Sequence, residues 1–245
     1  MKEKISELFL KKIRLTNYLI ILFVVFLLLK TFLPSIKYES GALMLFSVNS
    51  FLYGFYISPI LGAQKGRIEE LHRIVRSEAN AIFAMALIVA KCPDKFRLKI
   101  QGMLLDYVDH ALRHRWPAGG EEKYESMIAY CLDYKGEHQV EIDKLLDKLI
   151  ANQQNRTNYA MQLNNKVYSN EWMVMIILFT ITLSFVLLLD AGTGYLYKVL
   201  IALLCTGLSM LLIILVKMST LTHKKAKQMW DPYKKLIDTK FYRID

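Results

Sequence analysis

Residues 41–61 read GALMLFSVNSFLYGFYISPIL, an apolar stretch long enough, at about 1.5 Å per residue, to cross a hydrocarbon core of roughly 30 Å. Its composition is not that of plain lipid filler, because it carries Ser47, Asn49, Ser50, Tyr53, Gly54, Tyr56 and Ser58. Helical periodicity puts Ser47, Ser50, Phe51, Gly54 and Ser58 on one face and Asn49, Tyr53 and Tyr56 on the opposite one. Neither face is ideal for lipid. A membrane helix with a small, weakly polar face and a second face bearing an amide and two phenols calls for protein or water on both sides. The stretch is therefore a candidate pore-lining or subunit-packing helix, with Asn49 a buried polar or gating candidate.

Outward from this stretch, three further windows qualify as spans, Asn17 to Leu33, Trp172 to Leu189 and Tyr197 to Val216. The chain of 245 residues is 54% hydrophobic, too apolar for an ordinary soluble domain, and reads as an integral membrane protein. Four spans in two hairpins, with short turns PSIKYES (34–40) and DAGTGY (190–195), enclose a charged middle segment. The expected fold class is all-α, with four transmembrane helices in two hairpins and a helical cytoplasmic domain between them. The expected divisions are an amphipathic segment 1–16, a first hairpin 17–61, a cytoplasmic helical domain 62–170, a second hairpin 171–216 and a basic-aromatic tail 217–245.

The formal charge of +10 invites a nucleic-acid reading, but its distribution argues against one. Residues 1–16 hold five Lys/Arg against two acids and residues 217–245 hold eight against three, so +3 and +5 of the charge flank membrane spans. Residues 62–170 hold sixteen basic and fourteen acidic residues, nearly balanced. This is the positive-inside pattern, and it puts both termini and the middle segment in the cytoplasm of a multi-pass inner-membrane protein, with lipid rather than nucleic acid as the partner. TFLPSIKYES offers no small-x-small cleavage site, so the first span is expected to be a retained anchor, with Lys30 snorkelling to the headgroups. Cys92, Cys131 and Cys205 are odd in number and imply no disulfide framework.

In the middle segment, Ile68, Leu71, Val75, Ile82, Met85 and Val89 form a core-facing stripe up to Cys92-Pro93, after a kink or break allowed by Pro59, Gly62 and Gly66. Glu78 falls on that stripe. It reads either as a paired, hydrogen-bonded group within the helix packing or as a proton-linked or gating carboxylate. A second helix carries Phe96, Ile100, Leu104, Tyr107, Val108 and Ala111. If the two fold back at Cys92-Pro93, Glu78 and Tyr107 stand at the same level, which predicts a contact between the carboxylate and the phenol or a nearby base. Two more helices follow. The last reads Ile142, Leu145, Leu146 and Leu149 and then turns polar, with no Pro or Gly to interrupt it before the third span.

Asp106, His110 and His114 share a helix face at i, i+4 and i+8 and are weak metal candidates. Arg113 and Arg115 beside them oppose a cation, and a solvated face is the simpler reading; no metal and no cofactor is expected. The chain holds no Walker loop, GxSxG, HExxH or dinucleotide fingerprint, and no catalytic pair within the spans, so no enzymatic activity is expected. The tail HKKAKQMWDPYKKLIDTKFYRID mixes Lys with Trp230, Tyr233, Phe241 and Tyr242, which reads as an inner-leaflet anchor or as a segment docking on a neighbouring subunit.

This layout resembles the bestrophin-like membrane proteins of bacteria. The matching features are two N-terminal spans, Glu78 in RSEANAI, Tyr107 followed by Trp116-Pro117, and Arg156 on a helix leading to Trp172 at the start of a second hairpin. Arg115 departs from the pattern, standing where an acidic residue usually precedes Trp-Pro. The resemblance implies a pentameric ion channel whose neck is lined by the second span, which assigns the pore to Ser47, Ser50, Phe51, Gly54 and Ser58. The rival expectation is a non-conducting membrane scaffold or sensor whose cytoplasmic helices bind a partner, with Asn49, Tyr53 and Tyr56 only packing the bundle.

Overall fold

The computed structural model describes residues 13–114, 120–190, 192, 194–222 and 228–243. Most of the N-terminal amphipathic segment, and Arg115, Trp116 and Pro117 of the family motif, lie outside the described residues. The described chain is all-helical: α1 (Leu15–Phe32), α2 (Ser40–Val89), α3 (Asp94–His114), α4 (Glu121–Asp133), α5 (Gln139–Asn164), α6 (Ser169–Leu188), α7 (Tyr195–Ser219) and α8 (Asp231–Asp238). Short 3-10 turns at Gln228–Trp230 and Phe241–Arg243 flank α8. Four of these helices, α1, α2, α6 and α7, have segments long and apolar enough to cross a membrane. Of α2, residues 41–61 are the part with that composition.

The chain divides into two compact units, Met1–Gly66 with Lys166–Lys224, and Arg67–Asn165 with Lys225–Asp245. In the first unit α1 packs mainly on α7, and α6 packs on both. One apolar cluster joins Phe26, Val186, Ile201, Ala202 and Cys205; a second joins Tyr53 and Ile57 of α2 to Met175 and Leu215. Many other apolar side chains, among them Leu19, Ile20, Val24, Ile176, Leu200 and Leu204, stay exposed, as helices solvated by lipid require. The segments that follow α1 and α6 are tied by a parallel bridge in which Ile36 N–H donates to Leu188 O at 2.7 Å and Asp190 N–H to Ile36 O at 2.9 Å.

Lys30 corrects the sequence reading. Instead of snorkelling outward, it is only 5% exposed, and its ammonium donates to Ser35 Oγ at 3.1 Å, Leu187 O at 3.1 Å and Leu189 O at 2.8 Å. The carbonyls at the end of α6 have no intrahelical partners, so a cation here satisfies them and complements the negative end of the helix dipole. Replacing Lys30 by Met is expected to cost about 2–4 kcal/mol, since buried acceptors lose a charged donor. Thermal unfolding of the detergent-solubilised protein checks this, and an unchanged midpoint would refute it.

Two helix boundaries also differ from expectation, in opposite directions. The allowed break at Pro59 does not occur: α2 continues through Pro59, Gly62 and Gly66 as one helix of 50 residues, about 75 Å at the standard rise. Proline removes one backbone bond, a loss that bonded turns on both sides and the packing of Tyr53 and Ile57 absorb. Conversely, α5 does not run into the third span, although no Pro or Gly interrupts it. It stops at Asn164, where Arg67 donates Nε to Gln162 O at 2.7 Å and Nη2 to Leu163 O at 2.8 Å, capping the last carbonyls from outside the helix. A new helix starts after Tyr168, whose N–H donates to the Glu171 carboxylate at 2.9 Å.

The second unit packs α3 against α4 and α4 against α5, with the C-terminal segment seated on α3. Its core takes Leu71, Val75, Ile82, Met85 and Val89 from α2, with Ile100, Leu104 and Val108 from α3. Met127, Ile142, Leu145 and Phe241 complete it. The turn at Cys92-Pro93 folds α2 and α3 back on each other as the sequence predicts.

Candidate functional site

Two places in this fold are candidate sites, one in each unit. On α2 the two faces differ in burial, with Ser50 the exception on the small face. Tyr53 is buried, Asn49 and Tyr56 are half-buried, and all three point into the first unit. Asn49 donates Nδ2 to Leu178 O at 3.1 Å and to Thr182 Oγ1 at 2.7 Å, and the Tyr53 hydroxyl reaches Leu208 O at 3.4 Å. These bonds account for the polar residues of this face as ties to α6 and α7. Among the described residues the opposite face has no such ties: Ser47, Gly54 and Ser58 are exposed, and Phe51 is 68% exposed. Ser50 is half-buried, with its hydroxyl making no hydrogen bond. A Cβ added at Gly54 would meet nothing within 4 Å, so that glycine does not serve a close approach inside this chain.

The second place is a buried polar cluster at the centre of the helical unit. Glu78 on α2 is 4% exposed and accepts a short hydrogen bond from the Tyr107 hydroxyl of α3, the contact expected from the fold-back at Cys92-Pro93. Arg156 of α5, also 4% exposed, lies 4.4 Å above the Tyr124 ring and 5.6 Å from the centre of the Tyr107 ring. Its Nη1 donates to Gln153 Oε1 at 3.0 Å, while Nε and Nη2 make no hydrogen bond, their charge resting against aromatic faces. Tyr124 in turn donates its hydroxyl to Leu149 O at 2.8 Å. Tyr233 of α8 completes the cluster, fully buried beside Glu78, its hydroxyl without a well-formed hydrogen bond.

The electrostatics follow from burial. Desolvation pushes the Glu78 carboxyl above the usual carboxylate range, opposed by the neighbouring Tyr107 and Tyr233 hydroxyls and by the Arg156 charge. Burial likewise raises Tyr107 and Tyr233 well above the ordinary phenol value, reinforced by the nearby carboxylate. All three groups are thus biased toward their neutral forms around Arg156.

The other sequence candidates are not drawn together. Asp106 is exposed with a loose contact to Lys123 at 3.5 Å, Asp109 pairs with Arg113 at 2.7 Å, and His110 is half-buried. The side chain of His114 lies outside the described residues. The tail departs most from its reading as a lipid anchor. Met229, Trp230, Tyr233, Leu236 and Phe241 are buried in the same chain, Trp230 with its ring centre 5.9 Å from Tyr159 and 5.6 Å from Tyr233. Lysines on the solvent side of a short amphipathic helix are what made this segment resemble a membrane anchor.

Sequence reasoning underused Arg156 and Asn152 and misplaced Tyr233. A signal for the first two exists: Ile142, Leu145, Leu149, Asn152, Arg156, Tyr159 and Leu163 are all buried on α5 and follow unbroken 3-4 spacing. Asn152 and Arg156 are polar residues on a core stripe, as Glu78 is on α2.

The family model described as the Bestrophin-like domain matches residues 18–233. The chain belongs to the bestrophin-like family. The match runs from α1 through Tyr233 and takes in α2, Glu78, Tyr107 and Arg156 of this bestrophin-like chain. None of the curated proteins and none of the solved structures matches it.

Proposed function

We propose that this bestrophin-like protein is a homo-oligomeric ion channel of the inner membrane, with both termini and the helical unit on the cytoplasmic side and the face of Ser47, Ser50, Phe51, Gly54 and Ser58 lining the pore. The observation that carries the reading is the division of labour on α2: Asn49, Tyr53 and Tyr56 are committed to packing inside the protomer, and the small, weakly polar face is left for something outside it. Small hydroxyls around the phenyl ring of Phe51 suit an apolar constriction that gates by dewetting, with selectivity set by charges at the mouths. Family membership supports an oligomer around a central axis, and the pentameric form is the one the resemblance favours.

The test exploits Gly54. A Cβ there meets nothing within 4 Å, and Gly to Leu in a helix interior gains up to about 1 kcal/mol of helix propensity, so the variant is expected to fold. Gly54→Leu is expected to cut single-channel conductance in planar bilayers by tenfold or more while leaving the thermal midpoint unchanged or raised. Unchanged currents would remove this face from the pore. A monomer or dimer by light scattering in nanodiscs would favour the scaffold reading instead.

A further inference from the structure

Within the helical unit, α2 and the C-terminal segment line a groove of about 680 Å³, a size common among small-molecule sites. Its floor is apolar, made by Ala79 and Leu236, both buried. Its walls are two helix faces. On α2, His72, Arg76 and Asn80 stand one turn apart, with Phe83 about two turns beyond Arg76; opposite them, Asp231 and Lys235 stand one turn apart on α8. We infer that this groove binds a nucleoside diphosphate, with Arg76 and Lys235 holding the phosphates and Phe83 the base. The site shares no residue with the Glu78 cluster or with the small face of α2, and the channel reading neither requires nor supplies it.

The charges of the groove select an anion. Arg76 and Lys235 are both exposed, and among the described residues neither forms an ion pair. Asp231 is the acid of the lining, and Lys234 engages it at 3.1 Å. At the His72 end the groove continues into a smaller opening lined by Glu69, Arg73 and Gln228, where Arg73 is already paired with Glu70 at 2.6 Å. Arg76 and Lys235 are thus two uncompensated cations on two helices around one space. A diphosphate between them replaces like-charge repulsion by charge-assisted hydrogen bonds, the planar guanidinium matching two phosphate oxygens and the ammonium acting as a compact charge.

A bare anion would leave the other end of the groove without a role. Phe83 lines that end and is 40% exposed, so its ring offers a free aromatic surface. It lies seven residues past Arg76, about 10 Å along the helix at the standard rise, which matches the reach of a nucleotide from its phosphates to its base. Bases of every kind stack on aromatic rings. Asn80, between Arg76 and Phe83 on the same wall, supplies an amide at the level of the sugar hydroxyls. A ligand that touches both α2 and α8 also binds the docked C-terminal segment and not the undocked one, so it strengthens that docking by mass action.

Calorimetric titration of the full-length protein in phosphatidylcholine nanodiscs, whose lipid has no net charge, tests this with ADP, pyrophosphate and adenosine at low ionic strength. ADP is expected to bind saturably and about tenfold or more tighter than either fragment. Arg76→Ala and Lys235→Ala, both at exposed positions, are each expected to weaken ADP by about tenfold while the ligand-free protein keeps its thermal midpoint. Phe83→Ala is expected to weaken ADP and leave pyrophosphate as it was. Hydrogen–deuterium exchange of residues 228–243 is expected to slow when ADP is added. Absence of saturable ADP binding would overturn the proposal, and so would ADP binding unchanged in both Arg76→Ala and Lys235→Ala, which would place the anion on the basic flanks of the chain. Pyrophosphate bound as tightly as ADP, with Phe83→Ala without effect on either, would reduce the groove to an anion subsite and overturn the nucleotide. Channel currents form no part of the readout, so failure of the pore reading and failure of this one are distinguishable.

Discussion

A chain truncated before Gln228 is expected to lose cooperative tertiary unfolding in its helical unit while keeping helical circular dichroism. The truncation removes Met229, Trp230, Tyr233, Leu236 and Phe241 together, all buried. Deleting one large buried side chain costs about 2–5 kcal/mol, and five of them, about 10–25 kcal/mol, match or exceed the roughly 5–15 kcal/mol that holds a typical domain. What remains is a set of amphipathic helices around an exposed apolar surface and an opened Glu78 site, with the features of a loosely packed state. The near-ultraviolet signal and resistance to trypsin of the helical unit read this directly. A truncated protein that melts as sharply as the full chain would show that the tail only lies on the surface.

Arg156→Ala is the second large effect, expected to cost about 3–5 kcal/mol, because it removes the charge opposing Glu78 and leaves a cavity beneath two aromatic rings. Arg156→Lys should recover only part of the loss, since an ammonium has no plane to lie against Tyr124 at 4.4 Å. The variants also separate by pH. Without Arg156 the carboxyl loses one of the influences that hold its pKa down, so its folded value rises further above the unfolded one. Stability contributed by the protonated group is complete below the ordinary carboxyl range and is lost as pH climbs to the folded value. The variant's losses should therefore extend to higher pH than those of the unmodified protein. Thermal midpoints of the two proteins measured across the same pH series would show it, and parallel curves would argue that Arg156 acts by packing alone.

Much of the fold was legible because membrane helices and core stripes are one-dimensional signals. Four apolar runs marked the four candidate spans, and periodic stripes marked the helices between them. The meeting of Glu78 and Tyr107 was legible for the same reason, since a single turn at Cys92-Pro93 and a constant rise per residue place equidistant residues side by side. The tail was misread because lysine beside aromatic residues describes a membrane anchor and an amphipathic helix on a protein core equally well. Only the burial of Trp230, Tyr233 and Phe241 separates the two. The helix boundaries were misread because Pro and Gly are weak punctuation when packing holds the helix, and because a cap can come from a distant residue such as Arg67.

The sequence by itself determined that the chain is a membrane protein of α-helices, which face of residues 41–61 carries small groups, and that a carboxylate interrupts a core stripe at Glu78. Those properties depend on composition and on periods of a few residues, and no distant contact is needed to set them. Tertiary structure alone decided that Lys30 and Arg67 close helix ends across more than ninety residues of chain, that Arg156 lies against Tyr124, and that Tyr233 reaches Glu78. Each of these couples residues far apart in sequence, where the energy of a pair depends on burial and angle, and neither burial nor angle exists until the chain has folded.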